Sequence, residues 1–284
     1  LHFKLYAALA YCRANGLNRV VIDSPQPRLG IITAGKSYLD VRQAFDDLAR
    51  GLQVRQVALH EPLLWESWKG HAEKMLKILT GDYWTLHFVV GGVAPPNGRP
   101  QPLAHDCISL LSGGLDSLIG GIDLVTTGRR PAFVSQLAHE DSERQRRYAT
   151  LLGSGTTHMQ WSHGISFTGS REPSTRGRSL AFYAFAVLAA SKIAGRPAQV
   201  FVPENGFICV NPPLVPGRVS SFSTRTTHPL FIEKLQELLD GLGVGVRLEL
   251  PYRFKTKGQM MRECADQVLL GAVASDSTSC GRFR

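Results

Sequence analysis

Paired cysteines are missing from this chain. Its 5 cysteines, Cys12, Cys107, Cys209, Cys264 and Cys280, are odd in number and widely spaced, with no C-x-x-C among them. That argues against a disulfide framework and for free thiols in a reducing compartment. Also absent is any apolar run near the roughly 20 residues of a membrane-spanning helix. The apolar opening from Leu1 to Tyr11 lacks a charged start and a small-residue cleavage site, so it does not read as a signal peptide. A cytoplasmic chain with no membrane partner is expected. Acidic residues are in short supply, with 23 Asp and Glu against 32 Lys and Arg, a net charge of +9. Such an excess invites nucleic acid. The arginines are scattered, however, and the densest run, Glu143-Arg-Gln-Arg-Arg147, is interrupted and reads as a solvated helix face. A small polyanion accounts for positive potential equally well, so nucleic acid is not indicated.

What is present is a globular composition, 43% hydrophobic and 19% charged over 284 residues, enough for one large or two modest domains. The most informative stretch runs from Cys107 to Gly121. Cys107 to Leu111 is a short apolar run of strand length, Ser112-Gly-Gly-Leu-Asp-Ser117 turns the chain, and Ser117 to Val125 reads as an apolar helix. Strand, glycine turn and helix start form an anion cradle. Gly113 and Gly114 let the backbone bend close to a phosphate, and the free N–H groups and dipole of the helix start favour negative charge. Ser112 and Ser117 add hydroxyl donors. Asp116 either orients the turn or holds a Mg²⁺ shared with phosphates. The alternative is a plain strand–helix turn with Ser117 as N-cap. No lysine follows these glycines, so the G-x-x-x-x-G-K-[ST] loop is excluded here; Gly30-Ile-Ile-Thr-Ala-Gly-Lys-Ser37 satisfies that pattern and is a second, weaker candidate.

SGGLDS resembles the SGGxDS loop of the PP-loop ATP pyrophosphatases. The resemblance implies that Ser112, Gly113, Gly114, Leu115, Asp116 and Ser117 bind ATP, which is split between its α- and β-phosphates. An acceptor is thereby adenylated, and a nitrogen or sulfur nucleophile displaces AMP.

Upstream, residues 1–50 carry helical composition from Leu5 to Asn15 and from Ser37 to Arg50, around the strand-like runs Val20 to Ile22 and Gly30 to Thr33. Leu29-Gly-Ile-Ile-Thr-Ala-Gly-Lys-Ser-Tyr-Leu-Asp-Val-Arg-Gln43 resembles an internal piece of indolepyruvate ferredoxin oxidoreductase. The cofactor-bearing parts of that enzyme have no counterpart here, and no activity is carried over. Residues 51–103 read as a small α+β extension: a strand from Gln53 to His60, a helix from Pro62 to Thr80, and a strand from Asp82 to Val90. Trp65, Trp68 and Trp84 are expected to form its core rather than a base-stacking platform. Four prolines between Gly91 and Ala104 mark the boundary.

From residue 104 to 284 the expected order is β-α-β-α-β, hence an α/β fold with a parallel sheet flanked by helices and ligand at the strands' carboxyl ends. Further strands are expected at Pro131 to Leu137, Thr157 to Trp161, Gln199 to Val202 and Val246 to Leu250. Helices are expected at His139 to Leu152, at Ser179 to Ala194 (apolar nearly all round and so buried), at Pro229 to Asp240 capped by Thr227 or His228, and at Gln259 to Leu270 capped by Thr256. Gly164 to Gly177 reads as a loop at the mouth of the site. Arg176 and Arg178 are electrostatically wrong for a helix start unless an anion lies between them. Glu204 and Asn205, delivered by a strand to the same edge, could hydrogen-bond a purine-like ring. Arg225 and His228 belong to a donor-rich stretch suited to a carboxylate or phosphate.

Blocks including Pro203-Glu-Asn-Gly206, Ser223-Thr-Arg-Thr-Thr-His-Pro229 and Lys255-Thr-Lys-Gly258 resemble the QueC-like, 7-cyano-7-deazaguanine synthase-like family. Within it they are most similar to QatC of the Qat antiphage defence system. The resemblance runs from about Gln53 to the end. It implies ATP-dependent activation of a 7-deazapurine carboxylate with Mg²⁺, and transfer to a nitrogen acceptor, ammonia or a partner protein of a defence complex. In these terms Asp116, Arg176 and Arg178 are catalytic, and Glu204, Asn205, Arg225 and His228 bind substrate. The family closes with a zinc site of several cysteines, whereas this chain offers only Cys280 there, so the zinc ligands are expected to be missing. A PP-loop tRNA-modifying enzyme and a non-catalytic nucleotide-binding subunit of a defence complex are the rival readings.

Overall fold

The computed structural model describes residues 52–94, 102–137, 141–153, 157–162, 177–211 and 225–277. The chain divides into two compact units, Leu1–Leu48 and Ala49–Arg284, and the described residues fall in the second. The helices and strands expected before residue 51, the Gly30–Ser37 stretch, the loop before Gly177, Arg176, Cys12 and Cys280 lie outside the described residues.

Strand β1 (Leu52–Leu59) pairs in parallel with β2 (Tyr83–Val90), Leu52 opposite Tyr83. A parallel pair needs a crossover, supplied by α1 (Pro62–Glu66) and α2 (Lys69–Thr80). The single helix expected from 62 to 80 is therefore two. The break falls at Ser67–Trp68, where Trp68 is pressed so closely against Gly241 that any Cβ there would overlap the indole. α2 ends on Gly81, whose φ of +83° closes the helix with an N–H bond to the Lys77 carbonyl. Trp65, Trp68 and Trp84 all pack against the apolar core.

Five further strands, β3 (Cys107–Leu110), β4 (Pro131–Gln136), β5 (Thr157–Trp161), β6 (Ala198–Phe201) and β7 (Val246–Glu249), form one parallel sheet in the order β5-β4-β3-β6-β7. Among the described residues the α-helices that follow are α3 (Leu115–Thr126), α4 (Ser142–Leu151), α5 (Arg178–Ala190), α6 (Gly206–Val210), α7 (Pro229–Gly241), α8 (Lys257–Glu263) and α9 (Gln267–Val273). Side chains alternate across a strand, and two cores follow. On one face Ile108, Leu110, Ala132, Val134, Val200 and Leu248 meet α5 and α7, and α2 and Leu86 join the same core. On the other, Leu111 and Phe133 meet Leu118, Ile119 and Ile122 of α3, Tyr148 of α4 and Met260 of α8. Full burial of each such side chain contributes about 1.5–3 kcal/mol.

Two expected helices end differently. The one expected to reach Ala194 stops at Ala190, because the chain turns out to bridge Ile193 to Leu103. Its outer face is open, with Leu188 exposed, so it is buried on one side only. The helix expected from Gln259 to Leu270 breaks at Cys264. Thr256 and Gln259 form a capping box at the start of α8, and Asp266 caps α9 through the Leu269 N–H. Among the described residues no helix is long and apolar enough to cross a membrane.

Candidate functional site

Strand order reverses at β3: β4 and β5 extend to one side, β6 and β7 to the other. In open parallel sheets the crevice at such a switch point, at the strands' carboxyl ends, is where ligands bind. The glycine turn leaves β3 there, and the 202–206 turn leaves β6 beside it.

Gly113 adopts φ +88°, a conformation natural to glycine. A Cβ on it would meet only ordinary contacts, Gln145 Cγ at 3.5 Å the nearest, so the requirement is conformational rather than steric. Gly114 is the extended N-cap of α3, without a side-chain cap, and Ser112 is exposed. The serine hydroxyls are engaged within the turn. Ser117 Oγ donates to the Gly114 carbonyl (2.9 Å) and accepts from the Ser112 N–H (3.2 Å), while Ser112 Oγ lies 3.1 Å from Ser117 Oγ and accepts from the Gly114 N–H at 3.3 Å. The serines thus shape the turn, and the helix start supplies the donors for an anion, since its first N–H groups have no intrahelical acceptor.

Asp116 is buried, and its carboxylate joins three elements. Asn205 donates to Oδ2 through its backbone N–H (3.1 Å) and its side-chain Nδ2 (2.5 Å). Lys257 Nζ lies 3.0 Å from Oδ1. The contacts from Asn205 to Oδ2 tie the turn after β3 to the turn after β6, one of the two roles open to Asp116. Asn205 in turn caps α6, its Oδ1 accepting from the N–H groups of Phe207 and Ile208. Glu204 adjoins the pair. Burial, and then the Asp116 charge, push its carboxyl up to about 7, with Lys257 opposing.

Arg178 opens α5 and donates through Nε to Gln136 Oε1 at 3.2 Å, which brings it to the carboxyl end of β4. Arg225 and His228 are engaged elsewhere. Arg225 donates to the Ile78 carbonyl in the last turn of α2, and His228 caps α7, its Nδ1 accepting from the Leu230 N–H. So the structure brings together the glycine turn, Glu204 and Asn205, sets Arg178 at the same edge, and gives Arg225 and His228 structural contacts.

Three participants escape a reading of the sequence. Lys257 has a signal in the sequence, since a lysine at a helix start is as unfavourable as Arg176 and Arg178 are. Gln145 sits in the run read as a solvated face, yet it is fully buried. Its Nε2 donates to the carbonyls of Ser112 (3.2 Å) and Gln136 (3.3 Å), and its Oε1 accepts from Gln160 at 3.0 Å. His158 reaches the turn through a hydroxyl. Ser135 Oγ gives its proton to the Leu111 carbonyl (2.5 Å), so the imidazole Nε2, 2.8 Å away, carries the other. Burial, and then Arg146, depress His158 to about 4, which keeps it neutral.

The three described thiols, Cys107, Cys209 and Cys264, are buried, and Cys209 Sγ lies 3.9 Å from the Glu204 carbonyl. Burial raises Cys107 to about 12 and Cys264 to about 11, and it raises Cys209 as well. Among the described residues no group of three or more His, Cys, Asp or Glu is placed to hold a metal.

Fold and site together define an α/β protein with a helix-flanked parallel sheet, consistent with a Rossmann-like PP-loop fold. No family model matches the chain, and no curated protein matches it.

Proposed function

We propose that the chain is a PP-loop ATP pyrophosphatase of the QueC-like kind, activating a 7-deazapurine carboxylate for transfer to a nitrogen acceptor. One observation carries the reading: the SGGLDS turn stands at the carboxyl end of the central strand, at the switch point, with its aspartate tied to the neighbouring strand's turn. ATP supplies the leaving pyrophosphate. The α3 N-terminus and the backbone at Gly113–Ser117 receive its phosphates, and Arg178 neutralises charge that develops on them. Asp116 holds the turn against Asn205, so that phosphate donors and substrate contacts keep one geometry. Glu204, with a carboxyl near 7, is poised to hold or release a proton beside the acceptor. Magnesium would arrive bound to the nucleotide's phosphates. The setting is proposed to be antiphage defence, with a partner protein as a possible acceptor.

A second reading is favoured by the engagement of both Asp116 oxygens: a subunit that binds nucleotide without splitting it. Pyrophosphate release from ATP with 7-carboxy-7-deazaguanine separates the two. Release that requires both compounds and drops in Asp116→Asn supports the enzyme. Bound ATP without turnover leaves the binding subunit, and release only with tRNA points to the modifying enzyme. Failure to bind ATP overturns all three.

A further inference from the structure

Three glutamines are linked in a chain that ends on the glycine turn. Gln145 of α4 uses both protons of its amide nitrogen. Its Nε2 reaches the Ser112 carbonyl at 3.2 Å and the Gln136 carbonyl at 3.3 Å. Gln160 sets the orientation of that amide, because its Nε2 donates to Gln145 Oε1 (3.0 Å) and to the Ser142 carbonyl (2.8 Å). One amide group therefore holds together the start of the turn and Gln136, the last residue of β4.

Gln136 extends the chain to a charge. It is 5% exposed, and its side-chain Oε1 accepts from Arg178 Nε at 3.2 Å. The Phe182 ring, one turn along α5, lies 5.7 Å from the same guanidinium. An arginine side chain gives up much rotamer freedom when it is fixed, so a solvent-exposed one holds a single pose only where contacts of this kind offset that loss. The bond uses one of the five guanidinium donors, at Nε, and leaves the two terminal nitrogens outside this contact. The acceptor is also neutral. A carboxylate in its place would pair with Arg178 and cancel the positive charge that a phosphate meets. An amide oxygen fixes the guanidinium and leaves its charge undiminished.

We infer that Gln136 is a positioning residue for the proposed reaction: it sets Arg178 at a fixed place relative to the glycine turn, through the amide chain that braces the turn, and does not itself touch substrate. The role rests on the ATP-cleaving reading of that turn. The test is a double-mutant cycle on the full chain with Gln136→Met, Arg178→Ala and the pair, read as pyrophosphate release from ATP with 7-carboxy-7-deazaguanine. Gln136→Met keeps the length of the side chain and loses the acceptor, so kcat should fall about tenfold, the loss of one hydrogen bond to a charged group. In the Arg178→Ala background the same change should lower kcat less than about twofold. Circular dichroism checks the fold. If Gln136→Met does not fold, Gln136→Glu takes its place in the cycle, with the same two results expected because the added charge cancels that of Arg178. If the chain binds ATP without turnover, the cycle is read on pyrophosphate affinity by calorimetry, with the same factors expected. A loss that persists in full without Arg178, or no loss with Arg178 present, overturns the positioning role and leaves the reading of the turn intact. A parent chain that neither binds nor splits ATP overturns both.

Discussion

Replacing Asp116 with alanine removes a buried carboxylate that serves three groups at once. The Asn205 N–H and Nδ2 lose their acceptor, and the Lys257 ammonium loses its counter-charge. Breaking a buried ion pair from one side costs about 3–5 kcal/mol. Lys257 keeps a third of its side chain exposed, so water recovers part of that. The release of Glu204 recovers more, since the Asp116 charge raises its carboxyl. A net loss of about 2–4 kcal/mol is expected, with Asp116→Asn near half of it because the amide oxygen still accepts from Asn205. The pH dependence supplies a second readout. Glu204 rises from 4.5 to about 7 on folding, so the native state binds the extra proton between those values. Stability contributed by this group is therefore complete below pH 4.5 and lost as pH climbs through 7, on the order of 3 kcal/mol at about 1.4 kcal/mol per pH unit. Burial remains in the Asp116 variants while the neighbouring charge is gone, so the slope should become shallower without vanishing. Urea unfolding at a series of pH values between 4 and 8.5 measures both effects. An Asp116→Ala variant within about 0.5 kcal/mol of the parent, and of equal slope, would refute the three-way tie.

Gln145→Ala removes the side-chain donor shared by the Ser112 and Gln136 carbonyls and leaves a void, at a cost of about 2–4 kcal/mol by chemical denaturation. ATP affinity should fall with it, because the turn loses its brace. Gly120→Ala should destabilise by about 1–3 kcal/mol, since a Cβ there overlaps the Pro203 ring; a neutral result in thermal unfolding would contradict the close approach of α3 to β6. His158, depressed from 6.5 to about 4, contributes stability that is present above pH 6.5 and lost as pH falls toward 4. In His158→Gln the acid limb of the stability profile should flatten by on the order of 2 kcal/mol.

Much of the architecture was legible before any coordinates because its signals are local. The glycine turn between an apolar run and a helix, the alternation of strands and helices, and the caps at Thr256 and His228 each depend on residues within one or two turns of each other. Helix ends depart from the local pattern where a distant contact intervenes: Trp68 against Gly241, Ile193 against Leu103. The function of side chains was less legible still. Asp116 and Asn205 are 89 residues apart, and Gln145 is 33 residues from the carbonyl it braces. Nothing in their neighbourhoods tells that the carboxylate ties two turns together, or distinguishes a buried glutamine from a solvated one. Local residue chemistry determined that strands, a glycine turn and helices would form in this order. Strand order alone decided that the turns after β3 and β6 emerge side by side, because a sheet whose crossovers run both ways from its central strand opens a crevice where they part. That packing brought the lysine of α8 to the same carboxylate.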